Sequence, residues 1–569
     1  MKTQTITIKE YLRKKAFGIL DGAVESDVSP IIRAEQFTFV NNPDEIARLK
    51  LEEYNAWYAG DGDGLLNFYT RANMIDYNYD PLYQRNKRSY FYAISSSEGD
   101  IKRTHSGQPR NIVDTLSGIV GEPNDTVADN DRANARLEEI LEENNFADTL
   151  TQEARPLTLV EGWGAWKINW DLDVSDTPII LYYRADAVDF VYRNKRLVAI
   201  IYKDYYTDEN NKKYILFETR RLARRDVTDP NTGIRAKVMC LVIEKDLFKL
   251  FTDQTDNMAK VPLNSLPELA DVEERIVVEN FSEFLGAPNI YYKDSTDLLP
   301  GRSIYTGKID LFDDLDQCLS QSSNTVRRST PVEYFDEQYL ERDEFSGLPK
   351  QPKVYDRKYI TYKGILGGDG QITHEPITVT QPRLDFSQYS SGAIDIMLQI
   401  INGIMSPATL GIDIAKKDNA SAQREKEKVT IFTRNGLIKT EKKTVRSLCK
   451  QLLMADELMH EGRITKKDYA VDVKYDEFAD ASFEAKLNTV LTGWQGGLLS
   501  DDMAIEYLHR GSPESVKQRE LEFIKKQREE EKELAGRNQA DEQLAALGEE
   551  LGGENEEGSL ENFMNDEEE

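Results

Sequence analysis

The sequence predicts an α+β protein, and three observations carry that assignment. Apolar residues recur at helical spacing from 109 to about 150, whereas from 178 to 249 the chain turns to Val, Ile and Tyr runs cut by turn residues. Two later helices, starting near Ser303 and Ser391, carry narrow apolar stripes and enclose a short strand-rich stretch. A long charged helix then leads past one more strand to further helices and an acidic end. A length of 569 residues allows roughly four ordinary domains, or fewer with extended arms.

The totals narrow the class. Hydrophobic residues make up 39% and charged residues 30%, enough for a core beneath a strongly polar surface. The net charge is −29, and the last stretch from Asp541 to Glu569 contributes twelve acids and no base. That tail reads as solvated and disordered. The body remains acidic without it, which argues against avid non-specific binding of nucleic acid. The three cysteines, Cys240, Cys318 and Cys449, fit no metal spacing or disulfide framework and imply a reducing compartment. "MKTQTITIKEYLRKKAFG" lacks the apolar segment of a secretory leader, and no apolar run approaches the roughly 20 residues of a bilayer span. A soluble product made in the cytoplasm, with no membrane partner, is expected.

Taken in order, residues 44–76 read as short helices split by "GDGDG". Asp61 and Asp63 lack the further ligands and the closing Glu of a calcium loop, so the segment is a turn. "PRNIVDTLSGIVG" and the stretch from Asp131 form a helical block that runs into a strand at "GWGAWKINWD". The strands that follow, "PIILYYRADAVDFVYRNKRLVAIIYKDYYT" and "AKVMCLVIEKDLFKLFT", are broken by Asn-Lys and Asp-Glu-Asn turns. Trp163, Trp166 and Trp170 are read as sheet core in preference to a stacking platform for bases.

Ser303 is placed as a helix cap, followed by a stripe of Ile304, the Lys308 stem, Leu311, Leu315, Cys318 and Ser322. Asp310, Asp313, Asp314 and Asp316 fall on the opposite face. A small β-rich insert follows, with "GGDG" as a hairpin turn between strands; no Walker motif is present there or elsewhere. The second helix, Ser391 to Met405, carries Ala393, Met397, Ile400 and Ile404 at the same four-three spacing. Pro407 and Gly411 break it into the loop "SPATLGIDIAKKDNASAQREKEK". Asp418 or Asn419 caps a third, long helix with a kink at Asn435–Gly436 and a seam of Val445, Leu448, Leu452, Ala455 and Met459. "YAVDVKYDEFAD" is a strand, and Ser500 or Asp501 caps a helix after the Gly-rich "GWQGGLLS" turn. A polar helix from 512 to 536 precedes the tail.

A stripe so narrow on a polar helix suits like helices packed around a closed ring, since it is too thin for a monomeric core. An ordinary hairpin within one subunit has the same periodicity, and spacing alone does not choose. Taken together, "RNIVDTLSGIVGEP", "GWGAWKINWD", "SIYTGKIDLFDDLDQCLSQSSNTVRRS", the β insert, "SSGAIDIMLQIINGIMSP", "LGIDIAKKDNASAQREKEK" with its long helix, and "GGLLSDDMAIEYL" resemble, in that order, the portal or head–tail connector proteins of tailed bacteriophages. The resemblance covers residues 40 to 510 and is most specific from 303 to 461.

The resemblance implies a portal-type, ring-forming α+β fold. Its parts would be a wing over 1–302, stem helices over 303–329 and 387–405, and a clip over 330–386. A tunnel loop would span 406–419, a long helix with a wing strand 420–490, a helical crown 491–537, and the acidic tail 538–569. About a dozen copies would ring one capsid vertex of the virion, assembled in the host cytoplasm. Viral duplex DNA would enter through the ring during packaging and leave through it on ejection. The partners implied are the large terminase subunit (the packaging ATPase), a head-completion adaptor, and the capsid and scaffold proteins. No cofactor or metal is implied. Ile304, Leu311, Leu315, Met397, Ile400 and Ile404 would form the stem seam between copies. Lys416, Lys417, Arg424, Lys426 and Lys428 would meet DNA.

The charge pattern suits such a channel. Between Lys416 and Lys467 fourteen Lys and Arg stand against seven acids, a basic island in an acidic chain. Wholly positive walls would hold the duplex fast, whereas an acidic tube with sparse basic belts lets it slide. For Lys416, Lys417, Arg424, Lys426 and Lys428 the plain alternative is a solvated helix start offset by Asp418, Glu425 and Glu427. Two other functional readings compete: another phage head structural or assembly protein, and a metal-dependent nuclease hidden among the 101 acids. His105, His374, His460 and His509 show no ligand spacing, and no GxSxG, HExxH or CxxC motif occurs.

Overall fold

The computed structural model describes residues 5–7, 11–12, 14–15, 40–41, 45–74, 90–93, 102–127, 131–228, 235–251, 257–294, 299–329, 332–336, 342–348, 358–362, 377–380, 386–412, 427–461, 469–475, 490–491, 500, 503–505 and 519–527. The chain is α+β and divides into two compact units, Met1–Tyr475 and Asp476–Glu569. In the second unit 503–505 and 519–527 are helical. There Ser500 caps as expected, its hydroxyl accepting from the Met503 N–H at 3.3 Å.

In the first unit, β1 (Thr5–Thr7) and β2 (Val40–Asn41) are the outer strands of the large sheet. Helices α1 (Glu45–Ala59) and α2 (Gly62–Met74) meet at the predicted turn. Gly60 adopts φ 68°, and the Asp61 carboxylate accepts from the N–H groups of Asp63 and Gly64 at 3.2 and 3.1 Å. The helical block is α3 (Gln108–Val120), α4 (Asp131–Glu143), a π-helical turn (Thr149–Ala154) and α5 (Arg155–Glu161), with β3 (Pro123–Val127) between α3 and α4. Gly162 ends α5 at φ 98°, and its Cα lies so near the 301–303 backbone that a Cβ would sit 2.9 Å from the Ser303 nitrogen.

Strands β4 (Gly164–Asn169) and β5 (Ile179–Arg184) open the β-rich part. Then come β6 (Val188–Arg193), β7 (Arg196–Thr207), β8 (Lys213–Thr228), β9 (Arg235–Leu250), β10 (Asn257–Val261), β11 (Arg275–Val278) and β12 (Gly286–Asn289). The large antiparallel sheet runs β1-β10-β9-β8-β7-β6-β2, with β11 also on β9. Its β6–β7 hairpin closes through Asn194 and Lys195 at φ 51° and 60°, the pair of left-handed residues that a two-residue turn demands. A second sheet has the order β12-β4-β5. Trp163 and Trp166 are buried and Trp170 packs against the main core, so the tryptophans are core residues.

The remaining elements are α6 (Ile309–Arg328), β13 (Val332–Asp336), β14 (Lys358–Tyr362), β15 (Ile377–Thr380), α7 (Phe386–Ile401), α8 (Lys428–Glu461) and β16 (Asp472–Tyr475), which pairs with β3. Three local expectations are corrected. Helix α6 starts at Ile309, because residues 303–308 form turns ending at Gly307 with φ 76°. Ser303 accepts from the Tyr305 N–H at 3.0 Å inside those turns and caps no helix. Helix α7 ends at Ile401, leaving Ile404 in the turn beyond it. Helix α8 runs unbroken through Asn435 and Gly436 over 34 residues. Strands β14 and β15 are not neighbours: β13 lies between them, parallel to β14 and antiparallel to β15, and the expected "GGDG" turn lies outside the described residues. The acidic tail lies outside the described residues.

One large apolar cluster unites the first unit, drawing on Trp57, Leu116, Ile140, Trp166, Phe312, Ile400 and Leu448. Val445, Leu448, Leu452 and Ala455 are buried in it, so the predicted α8 seam is core-facing.

Candidate functional site

The two striped helices form a hairpin within a single chain. The Cys318 thiol contacts the Tyr389 carbonyl at 3.4 Å, beside the bare Cα of Gly392. Lys308 donates to the carbonyls of Gln399 and Asn402 at 2.9 and 3.1 Å, placing a cation on the carbonyl-rich end of α7. Leu315 and Ile400 are fully buried in their own subunit, so the assignment of these two to a seam between copies is corrected. The premise fails because the stripe is wider than it reads: Ile309 and Phe312 flank it on α6, and Ile401 flanks it on α7. Ile304, Leu311 and Ile404 are half-buried against the same cluster, and Met397 is half-buried. The apolar side chains that do face outward on the hairpin are Phe386, Ile394 and Val326. Sequence spacing did not single them out.

The acidic face of α6 is an anchor. The buried Asp316 carboxylate accepts from Tyr92 at 2.9 Å and from the Ser106 N–H at 2.8 Å, and lies 2.7 Å from His105 Nδ1. Asp313 accepts from the Phe91 N–H at 2.8 Å, and Asp310 from the Tyr90 hydroxyl. Burial, reinforced by Asp314 and Asp316 and only partly offset by the Phe91 and Tyr92 N–H groups, pushes the Asp313 carboxyl up to about 7. Burial and the neighbouring carboxylates also push the Tyr90 and Tyr92 phenols far up, which keeps them neutral donors. Asp313 Oδ1 and His105 Nε2 are buried without a hydrogen-bond partner. The acids read from sequence as the face opposite the stripe therefore divide: Asp310 and Asp314 are exposed, while buried Asp313 and Asp316 lock the hairpin to the body.

A second polar hub holds α8. Glu441 accepts from Arg155 Nε and Nη2 at 2.9 and 2.6 Å, from Tyr475 at 2.7 Å and from Tyr291, all buried. Arg155 also donates to the Ser117 and Gly121 carbonyls, and Arg434 to that of Ile119, closing the C-terminal end of α3. With Glu441 spent inside, the outward face of α8 presents Lys428, Phe432, Lys439, Lys443 and Arg446, the last paired with Asp472.

Of the residues assigned to DNA contact, Lys428 is exposed at the start of α8, and Lys416, Lys417, Arg424 and Lys426 lie outside the described residues, as do both cap candidates, Asp418 and Asn419. Among the described residues no group of three or more His, Cys, Asp or Glu side chains is placed to hold a metal ion. No helix there is long and apolar enough to cross a membrane. No protein-family model and no curated protein matches this chain.

Proposed function

We propose that the chain is the subunit of a portal-type ring that conducts duplex DNA through one vertex of a phage capsid. The observation that carries this reading is the arrangement from 309 to 461. A helical hairpin holds a small sheet between its two helices, and the second helix leads through a basic segment to a 34-residue helix buried along one side. The order matches that of stem, clip, tunnel loop and long helix. In this reading 1–302 serves as wing, 330–386 as the clip that meets the terminase and later the head-completion adaptor, and 491–537 as crown.

The hairpin keeps Phe386, Ile394 and Val326 exposed. Large apolar side chains left outward on both helices of one hairpin are candidates for cover by a neighbouring copy. They replace Leu315 and Ile400 as the stem residues offered to adjacent copies, alongside half-buried Met397. Negative-stain imaging with light scattering of the purified protein tests the proposal: annular particles with a central hole and the mass of about a dozen copies are expected. Strictly monomeric protein at high concentration sinks it.

A further inference from the structure

The outward face of α8 joins exposed apolar and basic side chains that no described residue of the same subunit covers. Phe432 is 81% exposed and Val429 44% exposed. Lys439 and Lys443 follow Phe432 by seven and eleven residues, which on a helix is the same face, and the stripe is about 16 Å long. Both lysines are exposed and make no ion pair among the described residues.

Its counterpart lies between β4 and β5. Residues 171–176 read Asp-Leu-Asp-Val-Ser-Asp, and Leu172 and Val174 are 60% and 73% exposed. The loop is held from behind. The hydroxyls of Ser175 and Thr177 donate to the Glu143 carboxylate at 2.7 and 2.8 Å, and Arg136 donates to the Asp176 carbonyl at 3.0 Å. Arg136 is itself fixed by Asp456 at 2.9 Å. Bracing the loop backbone lowers the ordering cost that a contact made through Leu172 and Val174 would otherwise carry.

We propose that these two surfaces are the two sides of one contact between copies. Leu172 and Val174 of one copy cover Phe432 and Val429 of the next, and Asp171 and Asp173 face Lys439 and Lys443. Neither patch suits a copy of itself, because like charges would meet, whereas the two complement each other. Such a head-to-tail contact is heterologous, the kind that closes by rotation into a ring. Duplex DNA is the poorer occupant of the α8 stripe. Phosphate recognition has no use for an exposed Phe432, and a chain of net charge −29 repels a polyanion that one row of lysines must attract alone. This contact rests on the ring reading only in requiring that the chain self-associates.

The test is charge reversal with rescue, read by light scattering and negative stain, with circular dichroism confirming the fold. Lys439→Glu with Lys443→Glu, and separately Asp171→Lys with Asp173→Lys, each raise the concentration for half-assembly by roughly tenfold or more. Mixing the two variants restores assembly, because each supplies the face the other needs, and Val174→Cys with Phe432→Cys gives covalent oligomers on oxidation. Reversal variants that assemble like the wild type overturn the contact while leaving the ring intact. Assembly unchanged but DNA retention lost in the lysine variant also overturns it, assigning the stripe to duplex. A wild-type chain that never leaves the monomer overturns ring and contact together.

Discussion

Asp313 shows how one carboxyl can couple an element's position to pH. Its neighbours on the helix read identically in sequence, yet Asp314 is exposed and Asp313 is buried with one oxygen unpaired. Its carboxyl is raised from an ordinary 3.8 to about 7, so the folded chain keeps a proton that the unfolded chain releases. Between about pH 4 and 7 the native state thus binds more protons, and the contribution to stability, complete below about pH 4, is lost as pH rises through 7. Asp313→Asn removes that loss. Its stability should change less than wild type between pH 5 and 8, by on the order of 1–3 kcal/mol. Urea titrations at the two pH values measure the difference; parallel pH dependence in the two proteins would show that Asp313 is ionised throughout.

At the scale of elements, α8 is the beam to which the rest is fastened, and Glu441 is its principal fastening. Glu441→Ala leaves the Arg155 guanidinium buried and charged without its partner, a loss of about 3–5 kcal/mol. A paired replacement, Arg155→Met with Glu441→Leu, should recover much of this, because it also removes the desolvated charge. Thermal melts of the single and double variants give the comparison, and a double variant no better than the sum of its parts would mean the pair is not coupled. Much of this architecture was legible in the sequence. The antiparallel sheet announced itself through β-branched runs and the Asn194–Lys195 turn, and α8 through the spacing of Val445, Leu448, Leu452 and Ala455. Both signals are local. The anchor was illegible because Asp313 becomes a buried acceptor only when Phe91, and Asp316 only when Tyr92 and Ser106, all more than 200 residues earlier, arrive beside them. The insertion of β13 between β14 and β15 was missed for the same reason: no local turn signal encodes a parallel pairing. The stripe on α6 and α7 looked too narrow because a strict four-three spacing leaves out Ile309, Phe312 and Ile401, which flank it on the same two helices and join the core.

Over the whole molecule, charge is segregated. The chain carries −29, yet the segment from Lys416 to Lys467 holds fourteen bases against seven acids, and Glu441, one of those acids, is consumed by Arg155. The face left outward on α8 is thus more basic than the local count states. If copies close into a ring around DNA, two basic features have separate tasks: α8 lysines meet the neighbour's aspartates, and Lys416 with Lys417 meet the duplex. The division is testable because the two tasks respond to different variants. Lys416→Ala with Lys417→Ala should assemble at the wild-type concentration, since neither lies in the proposed contact between copies. Its rings should release DNA at lower salt, with a shallower dependence of log affinity on log salt, because fewer phosphates per ring are neutralised. Retention of duplex by purified rings across a salt series, and packaging into heads, supply the readout. Filled heads at unchanged rates together with an unchanged salt slope would remove Lys416 and Lys417 from the channel. Loss of assembly instead would place them between subunits, where the basic island would act by holding copies together and not by touching what passes through them.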